Sequence, residues 1–369
     1  QIFFVLGQLL TAWQFAREKF LVPALGPIVY NLAIIAGGLA GGLGRDDPGA
    51  AGFAWGALVG AVVGIFALQA WGAWRQGLRL PDGPIGRHPA VRRYFALAIP
   101  LMLGQSLVVL DEQLGRTFGS LHADGGVSWL TFGRQTMLVP VGVIAQAAGV
   151  AAYPFLARLA AEGKLQELSQ AVGRAVRFVL VLSLAAGAAL IALTEPVVRL
   201  LYERGSFDAT DTAATAATVV WFCLGIPMWG IQQILARGFY AREEMWAPVV
   251  VGTLATAAAV PVYWVLNRTL EVEGLALASS VAITIYTVAL AVVWYRRTGA
   301  EHARPVVVTT LRVVPGAVLG AAAAFAIAAW VTGRGAGWPV DLAAVTAGGV
   351  VALGLALGPG WVRRDLTRR

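Results

Sequence analysis

Charge is what this sequence lacks most. Of its 369 residues only 13% are Asp, Glu, Lys or Arg and 58% are apolar, where a soluble domain carries roughly 25% charge. With a mean hydropathy of +0.71 there is too little polar surface to solvate a globule of this size. That excludes a soluble enzyme and a disordered chain. Cysteine is scarcer still: the lone Cys223 sits in an apolar run, closes no intrachain disulfide and reads as a small buried hydrophobe. A disulfide scaffold is therefore excluded too. The three histidines, His88, His122 and His302, fall in loops without the partner spacing of a zinc site. No Gly-rich loop precedes a Lys-Ser or Lys-Thr pair, so the chain has no nucleotide-driven motor. No metal or other cofactor is expected.

What the sequence has instead is long apolar runs. A hydrocarbon core about 30 Å thick needs roughly 20 apolar residues per helix. Eleven stretches meet or approach that length: 2–16, 22–43, 51–74, 94–118, 127–153, 173–193, 213–236, 246–266, 274–295, 309–332 and 338–362. Breaks are predicted where turn-forming and polar residues cluster, at Gly44 to Pro48, Gly205 to Asp208 and Asn267 to Thr269. The fold class is an all-α polytopic membrane protein.

The net charge of +8 would suggest nucleic acid in a soluble protein, but its distribution says otherwise. Taking alternate loops as one set, starting with the loop of Arg17 and Lys19, twenty-one basic residues fall in that set. Six fall in the other set, and Arg134 alone is assigned to no loop. Such asymmetry is a topology signal, not a nucleic-acid footprint. It makes the loop after the first segment and the C-terminus cytoplasmic. The first segment then enters from outside, and an odd number of further helices is expected upstream of Gln1. Nothing at the start resembles a signal peptide.

Within the segments, Gly52, Gly56, Gly60 and Gly64 form a spacing-four stripe suited to close helix packing or to sliding. Proline inside or near segment ends predicts kinks. Charge at membrane depth is costly and faces a partner or a cavity. The fourth segment holds Asp111, Glu112 and Arg116, and the fifth Arg134 with Gln135. Glu112 and Arg116 can pair along one helix face; the alternative is that the acids serve an ion. Arg134 in a water-filled cavity would suit bidentate capture of phosphate. Asn31 reads as packing glue or cavity lining. The stretch 75–93, with five arginines and three prolines, reads as a cytoplasmic linker drawn to anionic lipid.

The run Gly125-Gly126-Val127-Ser128-Trp129, then Pro140-Val141-Gly142-Val143 and Pro154, resembles the signature of the MurJ/MviN lipid II flippases. So do Phe20 to Pro27 with Asn31, Leu200 to Phe207 with Asp211, and Arg237 to Arg242 with Pro248. The resemblance implies the two-lobed multidrug/oligosaccharidyl-lipid/polysaccharide exporter fold of fourteen helices, of which these eleven would be the fourth to the fourteenth. Residues 1–74 would then be the rest of the N-terminal lobe, 94–297 the C-terminal lobe and 298–369 a helix pair grooved for a long lipid tail.

It also implies translocation of an undecaprenyl-pyrophosphate-linked peptidoglycan precursor across the bacterial cytoplasmic membrane by alternating access. Arg134, Gln135, Asn31, Arg17 and Gly126 would be the substrate-binding residues. Transport would draw on an ion, substrate or potential gradient, with cell-wall synthesis proteins as candidate partners.

Two positions depart from the family pattern. The cavity arginine, five residues before Pro140, is here Gln135, and Arg134 stands one earlier. One residue turns a helix by about 100°, so Arg134 reaches the same cavity only through a local bulge. Positions tied to sodium in some members are Gly115, Ala259 and Tyr263, which leaves Asp111 and Glu112 as the alternative acids. An exporter of other lipid-linked oligosaccharides or of cationic drugs, and a non-transporting membrane scaffold, are the competing readings.

Overall fold

The computed structural model describes residues 1–42, 49–78, 89–122, 125–299, 303–335 and 337–357. The predicted break at Gly44 to Pro48, most of the proline-rich linker with His88, His302 and the C-terminal arginines lie outside the described residues. Within them the chain is helical, with no strand. Six helices are long and apolar enough to cross a membrane, and a seventh span is added by a pair bent 46°. The chain divides into two compact units, Gln1–Arg92 and Arg93–Arg369.

The first unit holds α1 (Ile2–Ala16), α2 (Leu21–Gly42) and a third span made of α3 (Gly49–Gly60), a π-helical stretch (Ala61–Ala67) and α4 (Leu68–Arg75). The glycine stripe explains how α2 meets α3. A Cβ on Gly56 would sit 2.4 Å from the Ala33 carbonyl oxygen, and one on Gly52 2.6 Å from that of Gly37. Gly60 and Gly64 abut Tyr30 and Gly26 of the same helix in turn. Lipid offers no hydrophobic drive between helices, so backbone approach through small residues takes its place.

Buried amides add to it. Gln14 donates to the Gln69 side-chain oxygen at 2.9 Å, Gln69 to the Val22 carbonyl at 3.2 Å and Gln76 to the Gln14 side chain at 3.2 Å. These polar groups bind one another because nothing else at that depth could satisfy them.

The second unit holds α5 (Pro89–Gly119, of which residues 93 onward belong here), α6 (Gly126–Val141), a π-helical stretch (Gly142–Gln146) and α7 (Ala147–Ala161). Then follow α8 (Leu165–Ala192), α9 (Thr194–Tyr202), α10 (Ala209–Cys223), α11 (Ile226–Ala241), α12 (Trp246–Thr298), α13 (Arg304–Thr332) and α14 (Trp338–Leu357). The predicted segment 213–236 is thus two helices, with Gly225 and Pro227 at the bend. Asp208 caps α10, accepting from the Thr210 and Asp211 backbone N–H groups at 2.8 and 3.0 Å, as the Asp-x-x-Asp spacing allows.

The predicted segments 246–266 and 274–295 form α12, broken at Glu271 rather than at Asn267 to Thr269. The pair α13 and α14 packs on α8, and its outer face carries exposed Leu311, Leu319, Phe325 and Val350. Bare apolar side chains of this kind are what a lipid-facing surface requires.

Among the described residues, Arg17 meets Gln76 in the first unit and Glu244 meets Arg297 in the second, each contact between two loops of the larger basic set. His122 with Asn267 joins two loops of the other set, and Trp129 with Asp211 and Arg199 with Asp341 join such a loop to the start of a predicted segment.

One short helix was not legible as a span. The nine-residue α9 carries Glu195 and Arg199 four apart, with Glu203 a further four on at its C-cap and apolar residues between, the pattern of an interfacial helix.

Three stability outcomes follow from this packing and backbone geometry. Gly56→Ala should lower the thermal midpoint of the detergent-solubilised protein, costing about 1–3 kcal/mol by overpacking. Gly115→Ala, where a Cβ meets nothing within 4 Å, should leave the midpoint unchanged or raise it. Glu271 holds φ 49° and ψ −127°, a region costly for any residue with a Cβ. Glu271→Gly should therefore stabilise by about 1 kcal/mol, read by the same melting curve.

Candidate functional site

The charges at depth converge on one carboxylate. Arg134 of α6 donates to Asp111 Oδ2 of α5 at 2.6 Å, and Ser279 donates to the same oxygen at 2.9 Å. Tyr263 donates to Asp111 Oδ1 at 2.6 Å. Tyr263 and Ser279 lie on either side of the Glu271 break, so this group links α5, α6 and both halves of α12. The Arg134 and Asp111 side chains are only 12% and 14% exposed, and the guanidinium carbon lies 5.6 Å from the Trp229 ring centre. A guanidinium and a carboxylate at this depth are each untenable alone and tolerable as a hydrogen-bonded pair.

Beside the pair is a cavity of about 250 Å³ lined by Asp111, Glu112, Arg116, Thr131, Arg134 and Gln135, among others. Glu112 and Arg116 pair at 2.5 Å across one helical turn, and both are about half exposed. The cavity therefore holds two cations and two anions, each matched.

The opposite face of α6 borders a different space. Thr136, Val139 and Pro140 line an apolar hollow of about 280 Å³ with Leu193 and Leu201, closed on the far side by Val345, Gly349 and Leu353 of α14. One helix thus separates a polar cavity from an apolar slot.

The end of α6 is shaped by its proline. Pro140 offers no N–H to the preceding turn, and the backbone widens into the π-helical stretch just after it. Arg237 donates to the Ala145 carbonyl there at 3.1 Å. A Cβ on Gly149 would fall 0.7 Å from the Arg237 guanidinium, so glycine is required for that arginine to reach in.

The remaining predicted residues are distributed as follows. Gln135 is exposed on α6 and lines the polar cavity with Arg134. No bulge interrupts α6 between them: the helix is regular through Val141, and Arg134 turns to Asp111. Gly126 is buried at the start of α6, where a Cβ would lie 3.2 Å from the Gly119 carbonyl oxygen; it permits close packing. Arg17 and Asn31 belong to the first unit. Arg17 donates to the Gln76 carbonyl at 2.6 Å and lies over Trp13, and Asn31 is exposed on α2. Gly115 borders the polar cavity without contact to a Cβ position.

Ser279 was missed as a member of the site, and Tyr263 was noted only as a departure at a position tied to sodium in the family. The signal that Ser279 offers, a hydroxyl on an apolar segment after a predicted break, is too common to single it out. His122 bonds Asn267 at 2.6 Å. Among the described residues no group of three His, Cys, Asp or Glu could hold a metal ion.

A multi-pass helical bundle with matched charges around an internal polar cavity is a membrane transporter fold. A solved structure described as lipid II flippase MurJ, inward closed conformation, superposes with a TM-score of 0.72 at 20% identity, covering 99% of this chain and 72% of that one. The family model for lipid II flippase MurJ matches residues 2–336. A probable lipid II flippase MurJ of Rhizobium meliloti is 28% identical over 346 residues, 92% of this chain and 64% of that protein. One of Rhizobium tropici is 33% identical over 221 residues, 60% of this chain and 40% of that protein. The chain thus spans less than two thirds of the length of these curated relatives. It belongs to the MurJ lipid II flippase family.

The pairing of Asp111 with Arg134 has a measurable signature. Asp111→Asn alone should destabilise by about 3 kcal/mol, by leaving a cation unmatched at depth. The double variant Asp111→Asn with Arg134→Gln should cost clearly less than the two single changes summed. Additive losses in thermal melting would show that the two side chains act independently.

Proposed function

We propose that this protein is a flippase carrying an undecaprenyl-pyrophosphate-linked peptidoglycan precursor, lipid II, from the inner to the outer leaflet of the bacterial cytoplasmic membrane, with its C-terminus in the cytoplasm. It acts as a transporter, not as an enzyme. The observation that carries the reading is the two-sided α6, with a polar cavity holding Arg134 and Gln135 on one face and an apolar slot closed by α14 on the other. Such a pair of spaces suits an amphiphile with an anionic head and a long tail.

Within this reading the pyrophosphate exchanges with carboxylates. Arg116, half exposed beside Glu112, is a second guanidinium within reach of the head, and Arg134 leaves Asp111 only when the phosphate offers an equivalent bidentate acceptor. Binding then releases Asp111 and loosens the tie between α5, α6 and α12, which couples occupancy to rearrangement. Arg17, Asn31 and Gly126 are proposed to serve substrate passage from their own positions in the chain. Both oxygens of Asp111 are already hydrogen-bonded, so the driving force is assigned to a gradient or the membrane potential without a dedicated ion at that carboxylate. Anionic lipids drawn to the arginines of 75–93 and cell-wall synthesis proteins are the proposed partners.

The test is rescue of a bacterium depleted of its own flippase, together with translocation of a labelled polyprenyl-pyrophosphate lipid in vesicles. The wild-type protein should restore both. The Asp111→Asn, Arg134→Gln double variant, which keeps the charges at depth balanced, should fold yet lose about tenfold or more in translocation, the scale of a lost charge-assisted pair. Gly349→Trp should slow translocation by filling the apolar slot. Full activity in both variants would remove these spaces from the transport path.

A further inference from the structure

A further cavity in the second unit, about 1010 Å³, shares no residue with the two spaces flanking α6. It lies on the other face of α9, between the end of α8, α10 and the loop end of the α13 and α14 pair. Its walls are apolar, with Val220, Phe325, Ala328, Ala329 and Trp338, and Phe325 and Trp338 are wide open at its mouth.

The polar end of the cavity is short of positive charge. Arg199 is contacted by three carboxylates: Glu195, one turn before; Glu203, one turn after, at 3.6 Å; and Asp341 of α14 at 3.0 Å. Asp341 is 1% exposed and its second oxygen, Oδ2, is buried without a hydrogen-bond partner. Glu195 lies at the rim with its side chain 63% exposed. One guanidinium therefore serves three acids in a groove with apolar walls, where unmatched charge is expensive. Arg204, which donates to the Leu201 carbonyl at the end of α9, supplies a separate cation at the same end. An organic cation with an apolar body would complement both these acids and the cavity walls.

We propose that this cavity binds an aminophospholipid, with its primary ammonium among Glu195, Glu203 and Asp341, its phosphate toward Arg204 and its acyl chains along Phe325, Ala329 and Trp338. A primary ammonium brings N–H donors to carboxylate oxygens, and the adjacent phosphate matches the second cation. By the basic-loop asymmetry, Arg199, Arg204 and Arg334 belong to the loop set assigned to the outer face, so the bound lipid comes from the outer leaflet. The proposal is independent of the identity of the transported substrate.

The purified full-length protein in detergent, titrated with phosphatidylethanolamine and separately with phosphatidylglycerol and followed by native mass spectrometry, tests it. Phosphatidylethanolamine should be retained about tenfold more strongly than phosphatidylglycerol, the scale of one or two charge-assisted hydrogen bonds. Two variants should abolish the preference: Glu195→Gln with Glu203→Gln, which keeps the shape, and Ala329→Trp, which fills the cavity from an exposed position. Each is checked for an unchanged melting midpoint and monodispersity. Equal or reversed retention of the two lipids, or a preference that survives either variant, overturns the proposal.

Discussion

The second unit depends on how it keeps charge in a medium that does not solvate it. Asp111 is the centre of that solution: three hydrogen bonds from Arg134, Ser279 and Tyr263 hold α5, α6 and the two halves of α12 on one carboxylate. Two isolated ions at that depth would be intolerable. Paired and hydrogen-bonded, they become a tie with a defined geometry, set by three donors on two oxygens. Such a tie contributes little net stability over a well-packed apolar cluster. Its distinguishing property is that an anion can replace the carboxylate, which an apolar contact does not permit.

The first unit meets the same constraint without charge. Its buried Gln14 and Gln69 bond each other, and its α2 and third span close on glycine rather than on large side chains. The two units thus illustrate separate responses to an apolar solvent, one by neutral hydrogen bonding and backbone proximity, the other by matched ions around a cavity.

Much of this architecture was legible in the residues. The apolar runs marked the spans because their length is set by the bilayer, and the uneven spread of arginine sorted the loops into two sets. The glycine stripe announced close packing, although the identity of α2 as its partner could not be read from it. The bend within 213–236 was hidden because Gly225 and Pro227 sit in an otherwise continuous apolar run. The helix break fell at Glu271, not at the more turn-like Asn267, since tertiary packing can impose a backbone conformation that local propensity disfavours. Arg134 was legible as the single basic residue without a loop, but its partner was not. Asp111 lies 23 residues away on another helix, and only three-dimensional proximity selects it over Glu112, which turns instead to Arg116.

The amphipathic α9 stands between two hollows of unlike character, one lined by its charged positions and the other by Val197 and Leu201. Neighbouring residues along it therefore answer to different chemical surroundings. Sequence drift that retunes one compartment is insulated from the other by half a turn of helix, so the two can diversify separately on a shared wall.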